Sequence, residues 1–355
     1  MTLARTTPAA WDSRIAHPLQ SSGFAEASRA LGFRPLFAED DDGIALVLVR
    51  RVPVPLLAGW SARAKVYAHS RQPGFISRLV DGLRTLGVSH VRLGDSAWVC
   101  TGELPEPVGA LRPVTYYSFV HDHTVGEEAR LAGAKRMIRR HVRRALEEVT
   151  VTPVETPADL HDYTRLTNET GDRMRSRDVA AVYPPAYFEA IFREMVPRRQ
   201  AVMFLARADG APLAAGTFVL GTHRCVQIHG ASTRDRALTP KNGPTAVFWH
   251  AMRYATERGC TAFDMGAVTP TEDPSHAHYS VFEYKKLWGG QLAEHHAAEL
   301  VVSPWRYRFQ ESVLAPMWDR LHPLYLRLFG ARRPQQALPP EPSPGLGLLG
   351  QEHSS

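Results

Sequence analysis

Lysine is scarce in this 355-residue chain, occurring only at Lys65, Lys135, Lys241, Lys285 and Lys286, and the other basic residues are arginines. The last pair is adjacent, inside the aromatic run Val-Phe-Glu-Tyr-Lys-Lys-Leu-Trp-Gly-Gly at 281–290. An ammonium is a compact, strongly hydrated charge with rotatable donors that can follow a developing oxyanion, whereas a guanidinium suits a fixed planar anion. Lys285 is therefore a candidate to stabilise negative charge on a reacting carbonyl. A solvated pair of surface lysines is the plain alternative. On an extended segment, neighbours point to opposite faces, so Lys286 would then face away from Lys285.

Just upstream, Thr-Ala-Phe-Asp-Met-Gly-Ala-Val at 261–268 reads as a buried strand opening into a loop rich in Pro, Glu, Asp and His. Asp264, at the end of that strand, would receive the proton of an attacking amine or hold its ammonium; equally, it would cap the following turn. No Ser/His/Asp or Cys/His arrangement accompanies it. Transfer from an activated ester needs none, because an unprotonated amine is already a nucleophile, and positioning with oxyanion stabilisation carries the step.

Other side chains suggest less. His121-Asp-His123, His276-Ala-His278 and His295-His296 lack an obvious third ligand, and no metal is expected. Cys100, Cys225 and Cys260 stand far apart without a C-x-x-C pair, so neither a disulfide framework nor a cysteine zinc site is indicated.

The basic residues cluster in one place. Between Lys135 and Val149, a period of about 100° per residue puts Lys135, Arg136, Arg139, Arg140, Arg143 and Arg144 on one half of a helix. Leu131, Ile138, Val142, Ala145 and Leu146 line the other half. Glu147 and Glu148 can pair with Arg143 and Arg144, yet positive charge remains in excess, as it does in the whole chain at +6 and pI near 9.3. Such a stripe suits a phosphate backbone or acidic phospholipid headgroups. Arg234, Arg236 and Lys241, in the turn before Gly243-Pro244, would hold a terminal phosphate or simply decorate a loop.

Two similar series of elements position these residues. Phe33–Ala38, Asp42-Gly43 and Ile44–Val49 read as a hairpin, followed by a strand near Val66–His69, a helix from Pro73-Gly74 and a strand Val88–Leu93. Ala201–Ala206, Asp209-Gly210, Pro212–Leu220, Cys225–His229, a helix opened by Pro244 and Thr261–Asp264 repeat that order. The expectation is a loose tail at 1–10, one α/β domain at 11–150 joined by C-terminal helices at 305–330, a second at 151–304, and a disordered tail at 332–355. Thr152–Arg199 reads as mostly helical, with a basic binding link at Asp172–Asp178. With 44% apolar and 22% charged residues, the composition is that of a soluble globular protein. Apolar runs stop short of the ~20 residues of a membrane span, and Met1–Ala10 lacks a signal-peptide core, so a cytoplasmic location is expected.

A strand with Asp-x-Gly, a variable loop, then Tyr-Lys-x-x-Trp-Gly-Gly resembles the signature of the Fem family. The resemblance runs from Leu19-Gln20-Ser21 through the basic helix and Gly230-Ala231-Ser232 to Tyr284-Lys285. Phe24 and Ser28 depart from it, where the family usually has Trp and often Lys. The resemblance implies an α/β fold of two tandem GNAT-like acyltransferase domains, with mixed sheets flanked by helices. It also implies transfer of an amino acid from aminoacyl-tRNA to an amine, with no further cofactor and with Lys285 stabilising the tetrahedral intermediate. Lys135, Arg136, Arg139, Arg140, Arg143, Arg234, Arg236, Lys241 and Tyr284 would then bind the donor. The acceptor would be a peptidoglycan precursor or a peptide-like metabolite, and contact with the inner membrane surface is compatible with either. The alternatives are an acyl-CoA-dependent N-acyltransferase and a non-catalytic protein that binds RNA or a membrane surface. Pro240 and Pro244 remove backbone donors from the turn where a CoA pyrophosphate would sit, which weighs against the former.

Overall fold

The computed structural model describes residues 1–51, 62–70, 74–94, 111–175, 183–235 and 237–314. In the first half, β1 (Thr2–Ala4) precedes α1 (Ser22–Ala30), the hairpin β2 (Arg34–Glu39) and β3 (Gly43–Arg51), β4 (Ala62–Ser70), α2 (Gly74–Thr85) and β5 (Val88–Leu93). There follow β6 (Leu111–Asp122), α3 (Glu127–Gly133), α4 (Arg136–Glu148), β7 (Thr150–Pro153), α5 (Pro157–Arg175) and α6 (Pro185–Ala190). The second series then runs β8 (Ala201–Ala208), β9 (Ala211–Leu220), β10 (Arg224–Ser232), α7 (Gly243–Glu257), β11 (Ala262–Val268), α8 (Tyr279–Lys286), β12 (Gln291–Val301) and α9 (Pro304–Phe309). Among the described residues no helix is long and apolar enough to cross a membrane.

All the described strands join one mixed sheet in the order β1-β2-β3-β4-β5-β12-β6-β11-β10-β9-β8-β7. The two series therefore meet through β12, which pairs antiparallel with both β5 and β6. β6 precedes residue 150 in sequence but lies between β12 and β11, within the strands of the second series. Asp209 and Gly210 both take positive φ in the two-residue turn between β8 and β9, as a type I′ hairpin requires.

Three buried clusters hold this sheet. Trp11, Phe24 and Tyr67 from the first half share a core with Tyr163, Phe188 and Leu205 from the second. Val47, Val66, Phe75, Leu79, Val91 and Leu300 pack α2 on the first half. Ile138, Phe204, Phe218, Phe248, Phe263 and Trp288 pack α4 and α7 on the second half and seat α8. Each large apolar side chain taken fully out of water contributes roughly 1.5–3 kcal/mol, so the shared core fixes the halves against each other.

The Leu-Gln-Ser opening acts in that joint. The Gln20 side chain donates to Tyr67 O on β4 (3.1 Å) and accepts from the Ala16 and His17 amides, while Ser21 Oγ accepts from Phe24 N to cap α1. The helix α1 thus starts at Ser22, after a tight turn at Pro18–Gln20.

Several expectations need correction. The N-terminal segment is not a loose tail: Thr2–Ala4 pairs with Phe37–Glu39, and Leu3 packs against the α2 core. A three-residue edge strand is too short to show alternation, so its partner decides its state. Residues 279–286 are helical rather than extended, because Phe282 and Trp288 dock there on the aromatic core. Residues 172–175 continue α5. The rest of the basic link at 176–178, the segment 315–330 and the tail 332–355 lie outside the described residues, as does Cys100.

Candidate active site

Lys285 owes its position to a parting of two parallel strands. β10 and β11 pair at Arg224↔Ala262, Cys225↔Phe263 and Val226↔Asp264, and their pairing ends there although both strands continue. The register of β11 on β6 also shifts between Asp264 and Ala267. Gly266 sits in that irregularity at φ +78°, and a Cβ there would collide with the carbonyl oxygen of Gln227. Only glycine satisfies both demands.

α8 carries Lys285 to this point. The residue is 7% exposed, and its Nζ donates to the carbonyl oxygens of Gly266 (3.1 Å) and Ala267 (3.2 Å). Burial pushes its pKa down to about 8, against an opposing attraction from Asp264. The ammonium has three donors, and these two carbonyls take up two of them. Successive residues on a helix are about 100° apart, so Lys286 still leaves the site: it is exposed and pairs with Glu283 at 3.1 Å.

Asp264, two residues before Gly266 on β11, has no exposed surface. Its Oδ1 accepts the Gly266 amide (2.7 Å) and its Oδ2 accepts Arg224 Nη2. Both oxygens are engaged, so Asp264 serves as a buried counter-ion and turn brace, not as a surface open to an incoming amine. Arg224 Nη2 also donates to His295 Nε2 (3.3 Å), which lies 2.7 Å from Ser118 Oγ. Burial, then the nearby Arg224, lowers the His295 pKa. The neutral ring therefore accepts at Nε2.

Sequence reasoning did not find Arg224 or Ser118, and it considered His295 only as a metal ligand. Arg224 opens an ordinary strand, and only the parallel register of β10 on β11 reveals its partner. The two histidines of 295–296 separate at once, His295 turning to Arg224 and His296 outward to Glu294 at 3.7 Å.

Tyr284, next to Lys285, meets Thr245 Oγ1 at 3.2 Å, tying α8 to the first turn of α7. Burial pushes its pKa up to about 12. Gly243 lets that turn press on β9, since a Cβ there would lie 2.6 Å from Leu213 Cβ.

The basic residues divide. Lys135, Arg136, Arg140, Arg143 and Arg144 of the α4 segment are exposed, and Arg144 pairs with Glu148 at 2.8 Å. Arg139 turns back to donate to the carbonyls of Ala132 (3.1 Å) and Ala134 (2.6 Å), closing the C-terminus of α3. The Lys135 amide donates to Leu287 O (2.9 Å), so the exposed row begins beside the end of α8. Lys241 pairs with Asp209 at 2.8 Å and acts on Glu148 near the other end of α4. Arg234 is exposed, with its amide on Glu169 (3.4 Å), and Arg236 lies outside the described residues.

A family profile described as an acetyltransferase (GNAT) domain matches residues 132–286, the stretch from the end of α3 to Lys286. Lipid II:glycine glycyltransferases of Staphylococcus epidermidis and Staphylococcus aureus are each 28% identical over 87 residues, 24% of this chain and 20% of theirs. The matched stretch thus spans about one fifth of those relatives. The crystal structure of FemX superimposes with a TM-score of 0.61 at 15% identity, covering 88% of this chain and all of that one. The C-terminal domain of a putative lysylphosphatidylglycerol synthetase from Agrobacterium fabrum gives 0.53 at 15% identity, over 85% and 92%. Sequence motif, family profile and fold agree in their likeness: residues 132–286 match a GNAT acetyltransferase domain, and the mixed α/β fold resembles that of FemX.

Proposed function

We propose that this chain is an aminoacyltransferase that moves an amino acid from aminoacyl-tRNA to an acceptor amine. The observation that carries the reading is Lys285, buried where β10 and β11 part and held on two backbone carbonyls with a donor left over. The amine nitrogen attacks the ester carbonyl carbon, and the carbonyl oxygen takes up negative charge opposite Lys285. The amide forms as the carbon–oxygen ester bond breaks; nitrogen loses a proton and the ribose oxygen gains one. The donor is already activated, so preorganised charge and positioning supply the catalysis. The glycyltransferase relatives support an amino acid as the transferred group. A peptidoglycan precursor or a peptide-like metabolite is the acceptor class.

In this reading the exposed row of α4 holds donor phosphates, with Lys135 and Arg136 nearest the reacting end and Arg140 and Arg143 further along. Arg234 and Lys241 extend it, Arg236 is assigned to the same phosphates by its place in the sequence, and Tyr284 borders the donor. Acyl-CoA is the competing donor. Incubating the purified chain with total aminoacyl-tRNA or acyl-CoA, with candidate amines, separates the two. Ribonuclease-sensitive, amine-dependent discharge of aminoacyl-tRNA is expected; discharge of acyl-CoA alone would overturn the reading.

A further inference from the structure

The charge at the floor of the strand parting is not shared evenly. Asp264 is fully buried, and a buried carboxylate requires a partner. Two cations are within its influence. Lys285 is attracted to it but bonds only to carbonyls, whereas Arg224, with 36% of its side chain exposed, bonds Oδ2 directly. Gly266 N–H takes Oδ1. We infer that Arg224 is a positioning residue for Lys285: by neutralising Asp264 and steadying the Gly266 turn, it sets how readily Lys285 gives up and regains its proton. This deepens the reading of Lys285 above and rests on it for its meaning, but its test needs no turnover.

The effect is electrostatic. An unneutralised Asp264 would hold Lys285 firmly as the ammonium. With Arg224 bonded, that attraction is largely cancelled, and the loss of water around Nζ prevails. The neighbouring titratable groups do not take over the part. His17 reaches Arg224 from the first half with its pKa near 4, and His295 on β12 is also lowered, so both are neutral near pH 8. Cys225 on β10 is raised well above the ordinary thiol value, and Tyr284 on α8 to about 12. Glu283 and Lys286, also on α8, pair with each other at 3.1 Å. Asp264 remains as the charge that bears on Lys285, and Arg224 acts through its bond to that carboxylate.

The test is a pH titration of the full chain with isotope-labelled lysine, following each side-chain ε-carbon by NMR. With five lysines the spectrum is simple, and loss of one signal in Lys285→Met assigns it. Arg224→Gln is expected to raise the Lys285 midpoint by about one unit, a tenfold change in proton affinity. Asp264→Asn is expected to lower it, and Arg224→Lys to leave it near the wild-type value. Opposite shifts from Arg224→Gln and Asp264→Asn support the inference. A midpoint unmoved by Arg224→Gln, or shifted the same way by both, overturns it. Should Arg224→Gln not fold, a midpoint that fails to fall in Asp264→Asn overturns it alone. The predicted shifts in a chain that transfers nothing would uphold the inference and count against the proposed function.

Discussion

Lys285 Nζ lies 3.1 Å from the carbonyl oxygen of Gly266, a residue whose backbone conformation and surroundings both exclude a side chain. The buried lysine is thus held by main chain that only one residue type can form.

Gly266→Ala should accordingly damage both fold and site. A non-glycine residue in the left-handed region costs on the order of 1–3 kcal/mol, and the added Cβ also meets the Gln227 carbonyl. Urea denaturation is expected to show a loss of at least that size. A variant as stable as wild type would mean that the turn relaxes freely.

The buried histidines predict acid lability. His17, His121, His123 and His229 have pKa values lowered to about 4, and His90 to about 3, each chiefly by burial. Their unfolded value is higher, so below about pH 6.5 the unfolded chain binds more protons and stability falls until the folded pKa values are reached. Denaturation midpoints measured from pH 7 to 4 should drop steeply. A flat profile would show that these rings are solvated.

Lys285 gives a slope of the same sign in another window, stability again rising with pH. Its folded pKa of about 8 lies below its unfolded value, so its burial opposes folding most at neutral pH. Between about pH 8 and 10 the folded chain sheds this proton first and stability rises. Relative to Lys285→Met, the wild type should gain stability across that window. An unchanged difference between the two would contradict the burial of the charge.

Arg136→Glu, Arg140→Glu and Arg143→Glu together should weaken tRNA binding and flatten its salt dependence, by roughly 0.7–0.9 in log–log slope for each lost phosphate contact. Their side chains are exposed and Ile138, Val142 and Ala145 keep the helix seated, so the fold should survive. Arg139→Glu is expected to lower stability instead, because Arg139 closes α3. Unaltered affinity at two salt concentrations in the triple variant would remove α4 from donor binding.

Much of this was legible in the sequence, for a physical reason. Two-residue turns such as Asp209-Gly210 and the period of α4 are local, and local chemistry decides them. Lys285 stood out because lysine is rare here and because its neighbours are aromatic. Arg224, Ser118 and the role of His295 were not legible. They meet Asp264 through strand registers between distant segments, and no local pattern encodes a register. The three-residue β1 escaped notice because its partner, rather than its own pattern, makes it a strand. The helicity of α8 depends in the same way on the core that receives Phe282 and Trp288.

The central claim is that Lys285 stabilises the oxyanion of the transfer step, and single-turnover transfer from pre-bound aminoacyl-tRNA in Lys285→Ala and Lys286→Ala tests it most directly. Lys285→Ala is expected to slow the step by about 10²- to 10³-fold, the usual effect of removing one oxyanion donor, with donor affinity little changed. Lys286→Ala, whose side chain faces solvent, should transfer at nearly the wild-type rate. Wild-type transfer by Lys285→Ala would contradict the account.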